Sequence, residues 1–226
     1  MPFALHRAIA RAALLATASL VVGACLGPAA SPTPVPAAGD TTTEARQLAP
    51  FTAVSVEGGL NLVLAAGKAQ AVAVEAPTNI LPLILTEVSG TELAVTVAAP
   101  GFSSTKPVTV RITSPMVTSV SLEGGCNGTM EAMGQALTLS VSGGSVLKAI
   151  GTVQQLNVTA LGGADAQLGD LATDTAAISA AGGAKATLTV HKQLTGTADS
   201  GAVITLTVAP VAQSVTVSGG ASIVGP

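Results

Sequence analysis

The chain has 226 residues, of which 48% are hydrophobic and only 9% are charged, and it contains three Phe but no Trp or Tyr. Nine Lys and Arg residues face twelve Asp and Glu residues, for a formal net charge of −3. So little charge in so apolar a chain excludes a solvated disordered protein and a long charged coiled coil. The shortage of basic and aromatic residues argues against nucleic acid as a partner.

Residues 1–24 are typical of a bacterial lipoprotein signal peptide. A basic start precedes a short apolar run that ends at Val22 and is too short to span a bilayer. The segment Val22-Gly23-Ala24-Cys25 resembles a lipobox, with Val22 at a position where Leu is most common. In such proteins the cysteine carries the lipid and becomes the first residue, so we predict lipidation of Cys25. An ordinary secretory signal with an incidental cysteine is the alternative.

Residues 25–50 are predicted to form the lipidated cysteine and a tether rich in Pro, Ala and Thr. The alternating prolines of segment 31–36 lack amide donors, which excludes a helix or a central strand there. A merely disordered N-terminus is the other interpretation, and both place the start of the fold near Phe51. If Cys25 carries lipid, Cys126 has no partner and no disulfide framework exists. Two Cys and two His residues offer no structural zinc pattern.

Residues 116–226 contain an internal repeat marked by a pair of small residues that ends in glycine. Around each pair, apolar and hydroxyl residues alternate with period two, which predicts short strands. The second members of successive pairs stand 19, 19, 20, 18 and 19 residues apart. The six pairs are Gly124-Gly125, Gly143-Gly144, Gly162-Gly163, Gly182-Gly183, Ser200-Gly201 and Gly219-Gly220.

A unit of about 19 residues cannot bury its own apolar face, so successive units must stack in parallel. We therefore predict an all-β fold, a parallel β-helix or β-solenoid, with one coil per repeat. The glycine pairs are predicted to form corners, and a side chain at Gly144 to be strained and to clash with the stacked coils. Residues 51–115 alternate with looser spacing and are interpreted as irregular coils of the same solenoid domain, 51–226. A separate small β-domain is the alternative for 51–115.

Further motifs follow one another along the chain: Phe51 at the start of a strand, Val72-Ala73-Val74-Glu75-Ala76 before Asn79, Leu93-Ala94-Val95, Pro107-Val108-Thr109-Val110, and Pro115. Together with the repeated corners, they resemble the head GIN domain family, an autotransporter adhesin head domain of unassigned function. The resemblance covers about residues 48–226 and implies a right-handed parallel β-helix in an envelope protein. It carries no catalytic residues to transfer. The Gly-Gly corners depart from the Ser-Gly-Ser corners of many members.

The most regular polar feature is a column of hydroxyl residues four positions before the second residue of each pair. Stacked in register, these side chains would form a flat, uncharged ladder on the outer face of a sheet. The plain interpretation is a solvated sheet face, and the functional one is a recognition surface for glycans or ordered water. Asn157 and Ala177 interrupt the neighbouring column, which argues against ice binding. The ladder consists of Ser121, Ser140, Thr159, Ser179, Thr197 and Thr216.

Other candidate residues have simpler interpretations. Asp165 and Lys185 occupy the same position in successive repeats, which predicts a surface ion pair. His191 is expected on the surface, and Cys126 in a buried column of small residues. No catalytic, metal or cofactor site is predicted.

The sequence thus predicts a non-enzymatic lipoprotein of the bacterial cell envelope, extracytoplasmic at the surface or in the periplasm. The predicted role is adhesin-like or ligand-presenting, with a glycan or a protein as the ligand and the membrane contacted through the N-terminal lipid. A structural or sensing component without an external ligand is the alternative. A β-helix enzyme that acts on polysaccharide is the third possibility.

Replacement of Cys25 by Ser should abolish lipidation, because the cysteine sulfur forms the bond that carries the lipid. Labelled palmitate should enter the wild-type protein and be absent from Cys25→Ser, while Cys126→Ser should label normally. Incorporation of palmitate into Cys25→Ser would show that the predicted anchor is wrong.

Overall fold

The computed structural model describes residues 33–226, so the predicted signal peptide and Cys25 lie outside the described residues. Within residues 33–226 no helix combines the length and the hydropathy needed to cross a bilayer. In this described part of the chain, fifteen strands form one continuous sheet, and two short strands form a second. A short 3-10 helix spans Leu81–Leu83.

The strands follow one another with short connections. In chain order they are β1 Val35–Pro36, β2 Thr41–Arg46, β3 Ala53–Glu57, β4 Asn61–Ala66, β5 Ala71–Pro77, β6 Ile84–Ser89, β7 Glu92–Val97, β8 Phe102–Ser103, β9 Thr109–Ser114, β10 Ser119–Glu123, β11 Asn127–Val141, β12 Val146–Leu161, β13 Asp165–Ala181, β14 Lys185–Ala198, β15 Val203–Leu206, β16 Ala212–Val217 and β17 Ser222–Val224.

The C-terminal half is a parallel stack of coils, as the repeat predicts. Each of β11 to β14 runs through most of one coil and pairs in parallel with the next. Leu139 pairs with Val158, and Val158 pairs with Ile178, so residues one repeat apart lie side by side. The predicted β-solenoid with coils of about 19 residues is therefore confirmed.

The core is a set of inward columns that run along the stack. One column contains Leu122, Val141, Ala160, Ala180 and Ala198, each no more than 1% exposed. Leucine and valine at its start give way to alanine, so this column is filled by smaller side chains toward its C-terminal end, while other columns keep buried leucines such as Leu139 and Leu168. Burial of these apolar columns is the main favourable contribution to folding, at about 25 cal/mol per Å² removed from water.

Residues 51–115 continue the same sheet, but their order in the stack differs from their order in the chain. β3 lies between β7 and β10, and β4 lies between β9 and β11, all in parallel pairs. The first coil in the chain, which contains β3 and β4, is therefore second in the stack. The later coil with β7 and β9 lies outside it, and β10 and β11 then pair with the other side of the first coil. Antiparallel pairs of β5 with β9 and of β6 with β7 complete this end.

The predicted tether is wrong for part of its length. β2 pairs in antiparallel fashion with β5 from Thr41 to Arg46, and β1 pairs with β8. The side chains of Thr41–Ala45 are exposed, so β2 has no hydrophobic alternation that sequence could show. Backbone hydrogen bonds attach it as an edge strand, and the proline-containing β1 is also confined to an edge. The fold therefore begins before Phe51.

The two glycines of a corner have different requirements. Gly143 and Gly144 both have positive φ, at 63° and 77°, a region that L side chains rarely adopt. A Cβ built on Gly143 would stand 3.0 Å from the backbone nitrogen of Gly124 in the neighbouring coil. A Cβ on Gly144 would meet nothing within 4 Å. The predicted clash at Gly144 is therefore wrong: the close approach of coils occurs at the first glycine.

Alanine at these two positions should destabilise the fold unequally. Gly144→Ala should cost about 1–2 kcal/mol through the left-handed backbone alone, a fall in Tm of roughly 2–8 °C. Gly143→Ala should lower Tm further, because its Cβ also meets the backbone of Gly124. Thermal unfolding followed by circular dichroism measures both, with Ser140→Ala on the outer face as a control expected to change little. Equal losses at Gly143 and Gly144 would contradict this packing of the corners.

Candidate recognition face

The strands that precede the corners carry two outward columns, which we call the hydroxyl face. Ser121 pairs with Ser140, and each later member of the predicted ladder pairs with the next, up to Thr216. The second column lies two residues earlier in each coil. It consists of Ser119, Thr138, Asn157, Ala177, Thr195 and Ser214.

The ladder is accessible along its length. Ser121, Ser140 and Thr159 are half-buried, whereas Ser179, Thr197 and Thr216 are exposed. Each hydroxyl can both donate and accept a hydrogen bond. The structure therefore places all six ladder residues on one outward surface, repeated at the coil spacing of about 4.8 Å.

The ladder also continues beyond the predicted residues. Ser55 on β3 pairs with Ser121, and Ala94 on β7 pairs with Ser55. Sequence spacing does not reveal Ser55, because it precedes Ser121 by much more than one repeat although the two lie in adjacent coils. Only the return of the chain through β10 brings them together.

Charge is segregated away from the hydroxyl face. From β10 to β16 neither of its columns contains a charged residue; Glu92 continues the second column on β7, and Glu123 and Asp199 lie at the corners that border the face. Salt bridges lie on other surfaces of the coils, where Lys148 is 3.4 Å from Asp170 and Lys192 is 2.8 Å from Asp174. The hydroxyl face therefore offers hydrogen-bonding groups without a net field to select a charged ligand.

A groove borders this face, along the side of the second column that lies away from the ladder. The small side chain of Ala177 lies between Asn157 and Thr195 in the second column, leaving a depression of about 240 Å³. Gln155 and Gln193 extend its rim, and the amides of Gln155, Asn157 and Gln193 are exposed. The interruption of the second column by Asn157 and Ala177 is thus the feature that gives the flat face a shaped site.

Asp199 is a fixed negative charge at the C-terminal border of the face. Ser218 Oγ donates a hydrogen bond to Asp199 Oδ1 at 2.9 Å, and Ser200 Oγ donates to Oδ2 at 3.1 Å. The hydrogen bond from Ser218, followed by those from the Ser200 backbone and side chain, lowers the pKa of Asp199. The Asp199 carboxylate therefore stays ionised to a lower pH than an ordinary aspartate, whereas the columns beside it are neutral.

The other residues singled out in the sequence lie elsewhere. Asp165 and Lys185 are paired in register as predicted, but no salt bridge joins them in the described chain, and Asp165 instead accepts a hydrogen bond from Gln167 at 2.9 Å. The predicted ion pair is therefore wrong. His191 is exposed, as expected. Among residues 33–226 no three His, Cys, Asp or Glu side chains converge as metal ligands.

Cys126 is a structural residue of the core, as its column predicts. It is 1% exposed and lies beside Ser145 of the next coil, whose Oγ accepts a hydrogen bond from the Cys126 backbone N–H at 3.1 Å. The thiol donates to the carbonyl of Glu123 at 3.1 Å. Burial raises the pKa of the thiol, which keeps it protonated and unreactive.

Comparison with family models identifies the fold independently. Residues 50–210 match the model of the family described as "Putative auto-transporter adhesin, head GIN domain". The chain belongs to this family. The match extends from β3 through β15, so the resemblance to the head GIN family is confirmed.

Solved structures with the same fold include two from Bacteroides and Parabacteroides species. A "putative adhesin" from Bacteroides fragilis is 16% identical, with a TM-score of 0.69, over 85% of this chain and 100% of that one. A "putative adhesin" from Parabacteroides merdae is 14% identical, with a TM-score of 0.54, over 85% and 98% of the two chains. At these identities the likeness shows the head GIN fold alone. No curated protein matches the chain.

Proposed function

We propose that this head GIN protein is a non-enzymatic, adhesin-like lipoprotein of the cell envelope that binds neutral glycans on its hydroxyl face. The observation that carries the proposal is the in-register face, uncharged from β10 to β16, with exposed amides around the groove beside its second column. The adhesin descriptions of the family and of its structural neighbours support the adhesive role.

The chemistry of the face fits a sugar polymer. Sugar hydroxyls donate and accept hydrogen bonds, and the Ser, Thr, Asn and Gln side chains of the face do the same. The hydroxyls recur at about 4.8 Å along the stack, so one binding pattern is offered repeatedly to a repeating ligand. The absence of charged residues from the two columns between β10 and β16 favours neutral sugars over sialylated or sulfated ones.

The site has little aromatic surface, which sets the expected strength of binding. The chain has no Trp or Tyr, so sugar rings have few stacking partners and hydrogen bonds must supply most of the contact. Each such bond contributes only about 0.5–1.5 kcal/mol net. Single sites should therefore bind weakly, and adhesion should depend on several coils or several copies acting together.

Lipid attachment at Cys25 is the proposed anchor and places the solenoid outside the cytoplasm. The signal-like segment and the lipobox support this location. Protease treatment of intact cells should remove the solenoid while a periplasmic control protein survives. Protection of the solenoid until the envelope is opened would instead support the structural or sensing role.

Removal of two amides from the groove should weaken glycan binding. A soluble chain that begins at Leu26 would be screened against arrays of neutral, sialylated and sulfated oligosaccharides, and the best neutral ligand titrated by calorimetry. Asn157→Ala combined with Gln193→Ala should weaken binding by about 5- to 150-fold, the loss of about two hydrogen bonds. Gln167→Ala is the matched control, because Gln167 is an exposed amide on a different face.

Two results would contradict the proposal. One is the absence of any neutral glycan bound at millimolar concentration. The other is a bound glycan whose affinity is unchanged in the double variant, since the ligand would then lie on another surface.

A further inference from the structure

The groove beside the hydroxyl face has an apolar spot between polar side chains. Ala177 is the smallest residue of the second column, and its exposed methyl group lies in register between Asn157 of one coil and Thr195 of the next. Because neighbouring coils are about 4.8 Å apart, the two polar residues are separated by about 10 Å. The space above Ala177 therefore has room for one small substituent of a ligand.

The hydroxyl groups of the groove already use their hydrogens within the protein. Thr175 Oγ1 donates a hydrogen bond to the backbone carbonyl of Gln154 at 3.3 Å, and Thr195 Oγ1 donates to that of Ala176 at 3.5 Å. A hydroxyl group has one donor and two acceptor sites. Both threonine oxygens can therefore only accept further hydrogen bonds, which favours a ligand that carries a donor.

The side-chain amides of the groove supply the complementary donors. Gln155, Asn157 and Gln193 are exposed, and within residues 33–226 their side chains make no hydrogen bond to the rest of the chain. Each of these amides can donate to a carbonyl oxygen of a ligand. They belong to the coils on either side of Ala177, so a ligand carbonyl in the groove has donors on both sides.

No charged residue lines the groove in the described chain, where its lining consists of Gln, Asn, Thr, Leu and Ala. Asp174 and Lys192 directly precede two of the lining residues, but they form a salt bridge with each other at 2.8 Å. The groove therefore matches a neutral group that has a methyl group, an N–H donor and a carbonyl acceptor close together.

We infer that the groove is a subsite for the acetamido group of an N-acetylhexosamine in the bound glycan. The methyl group packs on Ala177, the N–H donates to a threonine oxygen, and the carbonyl accepts a hydrogen bond from a side-chain amide. The groove has a volume of about 240 Å³, that of about eight molecules of liquid water, which accommodates one acetamido group and part of its ring. This inference rests on the proposed function, because it names the sugar that the face binds.

Two trisaccharides that differ only at the second carbon of each ring test the inference. Cellotriose carries a hydroxyl group there, and tri-N-acetylchitotriose carries the acetamido group. In calorimetric titrations of the soluble chain that begins at Leu26, the acetylated sugar should bind about 10- to 50-fold more tightly, the effect of one buried methyl group and one additional hydrogen bond. Saturation-transfer NMR should show the acetyl methyl protons in closest contact with the protein.

Ala177→Val should remove most of this preference, because its added methyl groups occupy the space that the acetyl methyl group needs. Valine suits an exposed strand position, so the variant should fold, which thermal unfolding checks. The ratio of the two affinities should fall toward one. Ala45→Val is the matched control, since Ala45 is an exposed alanine on β2, and it should keep the wild-type ratio.

The possible results separate this inference from the proposed function. Equal affinities for the two trisaccharides, or a preference that persists in Ala177→Val, would overturn the acetamido subsite and leave glycan binding by the face intact. Binding of other neutral glycans but of neither trisaccharide would have the same meaning. Binding of no neutral glycan at all would overturn the subsite and the proposed function together.

Discussion

Parallel pairing of coils in a fixed register is the constraint on which the rest of this structure depends. A coil of about 19 residues has too little apolar surface to be stable alone, so each coil is held by its neighbours. Pairing places equivalent residues side by side, as Leu139, Val158 and Ile178 show. The residues at one position of the repeat therefore form a column, and each column points either into the core or onto an outer face.

The corners allow this register to persist. At the first glycine of a pair the backbones of adjacent coils approach closely, as the 3.0 Å from a Cβ on Gly143 to the nitrogen of Gly124 indicates. At the second, only the left-handed conformation is required. Ser200 occupies the first position of one pair with a φ of 53°, so a residue other than glycine adopts the left-handed conformation at that corner.

The same register determines what the protein can recognise. Ser and Thr outside the core make a flat hydrogen-bonding surface, and one small residue, Ala177, opens a groove beside it. Charges lie at its borders and on other faces, where Lys148 and Lys192 find carboxylate partners. A single coil could not make such a surface, because it contributes only one or two side chains to it.

The sequence predicted the C-terminal half well because its information is local and periodic. The spacing of the glycine pairs gave the correct register of the ladder and the burial of Cys126. It could not reveal that β3 lies between β7 and β10, since pairing between distant segments leaves no period in the chain. It also missed β2, whose exposed side chains from Thr41 to Ala45 carry no pattern, because backbone pairing with β5 and a hydrogen bond from Arg46 to the carbonyl of Leu81 attach it. The groove could not be predicted, because it depends on which residues of the neighbouring coils surround Ala177.

The register of the stack can be measured directly in solution. Spin labels at Ser121 and Thr216, five coil spacings apart in the ladder, should give a narrow distance distribution near about 24 Å by pulsed electron resonance. Moving the first label to Ser140 should shorten the distance by about one coil spacing, 4.8 Å. Distances of this kind would establish the continuous face on which recognition is proposed to depend. A broad distribution, or one that does not shorten by about one spacing, would contradict the in-register stack.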